Sequence, residues 1–311
     1  MSAAPMSEGP ALASASGMAG QFLVAKLCAF DARLGQTVPR LLSGADEEAV
    51  HDFRVALRRT RTLLEVGRPV FGRFYADEVR GALREIQRAS GALRDEEVLL
   101  ELLASIEATA TDLHHPPSYV SNVKDWIDGR RRRERRLRAA LRRKVREGEL
   151  DRGRHLLAAL VAFRIKPSRD KRVTKFARRA VEDARREVEH RRRAPSQDPE
   201  ALHNLRIAYK RLRYTVESFA SVLPVDLNAL APQAARYQSR LGRLHDADVA
   251  IACIQRAPNL LDAGRDALMV ELARIRRERA AAVEEELGGA EVASPVKMRV
   301  VPSVAGRASS A

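Results

Sequence analysis

Apolar residues return every three or four positions along nearly the whole chain, and no strand-like alternation of any length appears. Val79, Leu83 and Ile86 form one such stripe, and Val123, Trp126, Ile127, Leu137, Leu141 and Val145 form another. The spacing predicts an all-α protein. A helix is expected over 22–42, with Pro39 kinking or ending it. The next is capped by Asp46, carries Glu47 and Glu48 in its first turn, and stops near Gly67-Arg68-Pro69. A third runs from Arg73 to Ala89, leads through Ser90–Val98, and is followed by an apolar helical run to Thr109. His114-His115-Pro116-Pro117 reads as a loop, since no nearby acid or cysteine completes a metal set. A basic helix is expected over 118–146, the join between halves around 148–171, an inter-helix turn over 224–232, and a last long helix over 262–287.

The polar positions carry a second message. His51, Arg54, Arg58, Arg61 and Glu65 fall within roughly 80° of one another on a helical wheel. Phe53, Leu57 and Leu64 fall on another side, so one face enters a core and the other presents cations. The pattern recurs 152 positions later as His203, Arg206, Lys210, Arg213 and Glu217. Lys26 then corresponds to Arg178, Asp46 to Asp198, and Ser90–Val98 to Leu241–Val249. Arg130 and Arg133 match Arg274 and Arg277 more loosely, and Arg130 lies by angle on the buried stripe, where it either snorkels or faces an enclosed anion. A lone basic face is usually a solvated one, but surface charge needs no repeated histidine. The chain is a tandem repeat: a tail over 1–19, a first helical bundle over 20–150, a second over 151–287, and a tail over 288–311. Two such bundles are expected to pack about a pseudo-twofold axis with a basic groove or channel at the centre.

Composition narrows the partner. Lys and Arg number 56 against 41 Asp and Glu, a net charge of +15. That balance points to a polyanion: nucleic acid, an anionic membrane or a phosphate polymer. Aromatic residues make up 5%, too few for base-stacking platforms, and no helix-turn-helix or RNA-binding motif is present. There is no apolar run of membrane-spanning length, and the first 20 residues lack the pattern of a signal peptide. The cytoplasm is the expected location. Cys28 and Cys253 read as small core residues rather than a disulfide or zinc framework.

The paired H-x-x-R-x-x-x-R/K-R-x-R faces are each followed by G-x-L-R/H-D-x-x-V, at Gly91–Val98 and Gly242–Val249. In these motifs the chain resembles the CHAD (conserved histidine α-helical domain) family over residues 20–287. The resemblance implies two helical bundles around a basic surface that binds inorganic polyphosphate, with some members on polyphosphate or storage granules. By position it implies a ligand set of His51, Arg54, Arg58, Arg61, His203, Arg206, Lys210 and Arg213, with Arg94 and His245 in the second motif. His245 departs from the pattern, since an arginine is usual there. The chain leaves no room for the triphosphate-tunnel domain that many CHAD chains carry, so no fused hydrolase is expected.

The chemistry suits this ligand. Polyphosphate is a flexible string of tetrahedral anions with no bases to read, and arginine forks spaced along a helix edge match it. Asp95, Asp246, Glu65 and Glu217 are expected to hold arginines in place, the two histidines to contact phosphate or cap backbone, and Tyr209 and Tyr214 to pack. Phosphate hydrolysis would need a carboxylate cluster facing the row, and none is evident. No enzyme activity, metal or cofactor is expected. The expected partners are polyphosphate and granule proteins, without specific nucleic acid.

Overall fold

Helices fill the computed structural model, which describes residues 17–44, 46, 48–109, 117–162, 171–193 and 198–289. The protein is all-α. The only strand-like contact among the described residues is an isolated bridge between Met18 and Arg172. The first hairpin is α1 (Ala19–Ser43) with α2 (Glu48–Val66), followed by the short α3 (Arg68–Phe71) and α4 (Arg73–Ala82). A second hairpin pairs α5 (Arg84–Thr109) with α6 (Pro117–Arg146), and α7 (Asp151–Ala162) follows. The pattern returns as α8 (Val173–Arg192) with α9 (Pro199–Phe219), a 3₁₀ turn, α10 (Val225–Asn228), and α11 (Leu230–Gln255) with α12 (Asp262–Gly289).

Equivalent elements meet. α2 packs on α9, and α5 packs on α11. The main core runs through both halves, with Phe219 of α9 stacked on Phe22 of α1 at 5.5 Å. A smaller core joins the far ends of the long hairpins through Leu103, Ile127, Ile254 and Leu272.

Several boundaries differ from the sequence reading. Pro39 lies inside α1, which runs on to Gly44. Gly44 adopts the left-handed conformation (φ 75°) and donates its N–H to the Arg40 carbonyl, the usual glycine stop. The helix expected over 73–89 is interrupted at Leu83, and α5 runs without a break from Arg84 through Ser90–Val98. Leu83 is fully buried against Gly153 of α7, where any side chain would collide with it. α7, the first helix after the 150/151 division, packs on α1 and α4. Its Arg154 is bidentate to Asp31 at 2.7 and 2.9 Å. Cys28 is exposed and so is not a core residue, whereas the half-buried Cys253 packs against the smaller core. Cys28 follows the buried Leu27 by one residue, and a 100° step turns it to solvent. Asp46 and Asp198 each cap their helix as expected, accepting from the N–H two residues on. The 1–16 and 290–311 tails, the 114–116 loop and the Pro167 join lie outside the described residues.

Candidate functional site

The α2–α9 crossing is held by two ion pairs that exchange roles under the 152-residue offset. Arg59 of α2 meets Glu217 of α9 at 3.2 Å, and Arg211 of α9 meets Glu65 of α2 at 3.4 Å. Each glutamate also takes a second arginine: Arg213 on Glu217 and Arg80 of α4 on Glu65, both at 2.7 Å. Glu65 and Glu217 therefore hold arginines, as expected of them.

Between these anchors lies the cationic row. Lys210 sits at its centre, half-buried. Burial first, and then Arg58, Arg206, Arg54 and Arg61, push its pKa down to about 7. Arg54 donates to the Ser90 carbonyl at the head of α5, and its pKa is lowered to about 10, chiefly by burial and next by Arg58. Arg58 donates to the Tyr214 hydroxyl at 2.8 Å and lies over that ring. Tyr214 is thus part of the row's support, beyond the packing role expected of it. Tyr209 packs as expected, stacked on Tyr237 at 4.7 Å. Arg61 makes no close ion pair among the described residues, and its pKa is lowered by burial, then by Arg80 and Arg84, with Glu65 opposing. Arg206 is also lowered by burial, against the pull of Asp246, and its Nε is buried without a partner. A cleft of about 310 Å³ opens on this row, with Arg58, Arg61, Lys210 and Arg211 in its wall.

At the α9–α11 end the rings of His203 and His245 lie 4.8 Å apart. His203 Nδ1 is buried with no hydrogen-bond partner. Burial and then Arg206 hold both histidines below their usual range. Asp95 of α5 reaches across the repeats, acting through space on Arg54, Arg206 and His245. Burial raises the Asp246 carboxyl, with Arg206 opposing.

Other sequence candidates stand apart from the row. Arg213 is taken by Glu217, and Arg94 by Glu101 at 2.8 Å. Arg130 and Arg133 converge on Glu96, buried at 4% exposure, so Arg130 faces an internal acid rather than a ligand. Arg274 points outward onto Glu271 and Glu278, and Arg277 is exposed. Glu97 and Asp248, 151 apart, take Arg138 and Arg276, at 2.8 and 2.6 Å. Lys26 lies 5.6 Å over the Phe22 ring. Arg178 and His51 are exposed. The sequence reading missed Arg80, which belongs to neither repeated motif. Its only signal was the four-residue spacing of Arg80, Arg84 and Arg88.

Among the described residues no group of three or more His, Cys, Asp or Glu is placed to hold a metal, and no helix is long and apolar enough to cross a membrane. The fold is similar to that of the crystal structure of the CHAD domain from the plant Ricinus communis. Identity is 21%, the match covers 92% of this chain and 96% of that one, and the TM-score is 0.71. PptA from Streptomyces chartreusis is also similar, at 18% identity over 88% of this chain and 99% of that one, with a TM-score of 0.61. No curated protein matches. The CHAD domain profile matches residues 29–255, spanning both basic helices and both following motifs, and the chain belongs to the CHAD-domain family.

Proposed function

We propose that the protein binds inorganic polyphosphate along the α2–α9 row and does not cleave it. The observation that carries this is Lys210, half-buried and surrounded by the charges of Arg54, Arg58, Arg61 and Arg206. Such a cluster is self-repelling until an anion enters, so ligand binding relieves a cost already built into the fold. A chain of phosphates fits better than a single one, because the cations follow two helices in succession. The CHAD resemblance points to the same ligand. The reciprocal ion pairs support an approximate twofold axis through the crossing, with Arg58 and Lys210 beside it. In this reading the nearby acids position cations, and none is assigned to chemistry. Location on polyphosphate granules would follow from the same binding.

Calorimetric titration with polyphosphates of graded length tests this. Changing Arg54, Arg58, Arg206 and Lys210 together to Ala should abolish the heat of binding while the helical circular-dichroism signal persists. Retained affinity in the folded variant would refute the assignment. Binding should weaken steeply with salt, as counterion release requires. Incubation with Mg²⁺ or Mn²⁺ should release no phosphate above a blank; steady release would make the protein an enzyme.

A further inference from the structure

A different cleft opens where the outer end of α11 faces α6. Val249, Ala252, Cys253 and Arg256 follow His245 at three- and four-residue spacing. The cleft is thus centred about 12 Å further along that stripe. It has a volume of about 470 Å³, and Val249, Ala252, Cys253 and Pro258 give it a small-residue apolar floor. One wall is Trp126, the chain's single tryptophan. The Arg130 guanidinium lies over that indole at 5.8 Å and is held by Glu96 at 2.6 Å. Arg133 shares Glu96, and Arg256 at the rim has no acidic partner among the described residues. A neighbouring cleft of about 380 Å³ shares Trp126, Arg130 and Arg133 and adds Arg132 and Arg136.

A bare phosphate chain has no use for an apolar floor or an indole, because neither offers it a donor or a charge. A flexible acyl chain would need a deep cavity, and these clefts are open. A flat ring with an anionic tail uses both features, the ring on the indole and floor and the tail on the rim arginines. We propose that this cleft binds nucleoside triphosphates, with the base against Trp126 and the phosphates on Arg256 and on the terminal nitrogens of the exposed Arg133, which meets Glu96 through Nε. The site is separate from the α2–α9 row and does not depend on polyphosphate binding there.

The chain supplies its own reporters. Trp126 is the only indole, so its fluorescence reads this cleft and the neighbouring one that shares it. Cys253 lies in the floor, while the exposed Cys28 is a reference thiol within the same molecule. ATP should quench Trp126 saturably and slow Cys253 labelling by a thiol reagent at least fivefold, leaving Cys28 unchanged. Inorganic tripolyphosphate at the same concentration should do neither. Arg256→Glu, at an exposed position, should weaken ATP about tenfold without changing the helical signal. The quadruple row variant should keep its ATP response after losing polyphosphate. If ATP leaves Cys253 unprotected, if tripolyphosphate protects it equally, or if Arg256→Glu binds ATP normally, the cleft is not a nucleotide site.

Discussion

α2 and α9 carry nearly the same row of side chains, yet they deliver different numbers of available cations. Arg61 and Arg213 occupy equivalent positions. Arg213 is clamped at 2.7 Å by Glu217 on its own helix, four residues on. Arg61 has the same option in Glu65, but Arg80 of α4 and Arg211 of α9 already occupy that carboxylate. The second repeat holds only a 3₁₀ turn and α10 where the first holds α3 and α4, so Arg80 has no counterpart. The central pair is also unequal. Arg58 is anchored on the Tyr214 hydroxyl, whereas the residue equivalent to Tyr214 across the repeat is Thr62, which leaves Lys210 without that support. The repeat places each cation on its face, and the neighbours decide whether it remains free for a ligand.

The sharpest break in this picture is Lys210→Glu. It places an acid among four arginines, satisfies them internally and removes the vacancy an anion would fill. Polyphosphate affinity should fall about a hundredfold, which is roughly 2.7 kcal/mol, measured by calorimetry. Next in size is Glu96→Ala. The first repeat buries Glu96 between Arg130 and Arg133, while the equivalent residue in the second is the buried Ala247. Removing one partner of a buried pair costs about 3–5 kcal/mol. Arg130 and Arg133 are 22% and 53% exposed and can turn toward water, so about 2 kcal/mol is expected in a urea melt. Polyphosphate affinity should not change.

Much of this was legible in the sequence. Apolar spacing, both caps and the duplicated motifs pointed to an all-α repeat, the helical wheel and the 152-residue offset put Arg54, Arg58, Arg61, Arg206 and Lys210 on matching faces, and the family resemblance implied their role as a ligand set. What escaped is set by tertiary contact. Pro39 was expected to disturb α1, yet the helix continues to Ser43. Leu83 carries the break because α7, far along the chain, presents Gly153 to it. Arg94, Arg130, Arg133, Arg213 and Arg274 look as free as the others on a helical wheel, which cannot show that Glu101, Glu96, Glu217 and Glu271 hold them.

The Arg61–Arg213 contrast gives a smaller, direct test. Arg61→Ala should weaken polyphosphate binding about tenfold, one charged contact's worth. Arg213→Ala should weaken it by less than threefold. Equal effects would mean that ion pairing does not govern availability. Lys210 adds a pH dependence of known sign. Its folded pKa of about 7 lies below the ordinary lysine value, so above pH 7 the free protein loses a proton that a bound anion restores. Affinity should therefore fall as pH rises from 7 toward 9, by up to about tenfold per unit for one proton. Stability without ligand should move oppositely. Between the two pKa values the unfolded chain holds the extra proton, so Lys210 contributes a melting temperature that rises with pH. Lys210→Met should flatten both slopes.

The smallest expected effect concerns the histidines. His51 is exposed, while His203 packs on His245 with its Nδ1 buried and unpartnered. Burial and Arg206 hold both members of the pair below the usual histidine range, so the free protein keeps them neutral at pH 7. The charges facing them are Arg206, Lys210 and Glu200 from α9, Asp95 from α5 and Asp248 from α11. A bound phosphate would offset Arg206 and Lys210, favour the imidazolium and draw in a proton. Affinity should then rise modestly as pH falls through 6.5, by about two- to fourfold, with net proton uptake visible as a buffer-dependent heat. His245→Arg supplies the charge permanently. It should raise affinity at pH 8 and erase the uptake, whereas His51→Ala should leave both unchanged. If His51→Ala and His203→Ala reduce affinity equally, the two ends of the row are equivalent and the asymmetry has no functional consequence.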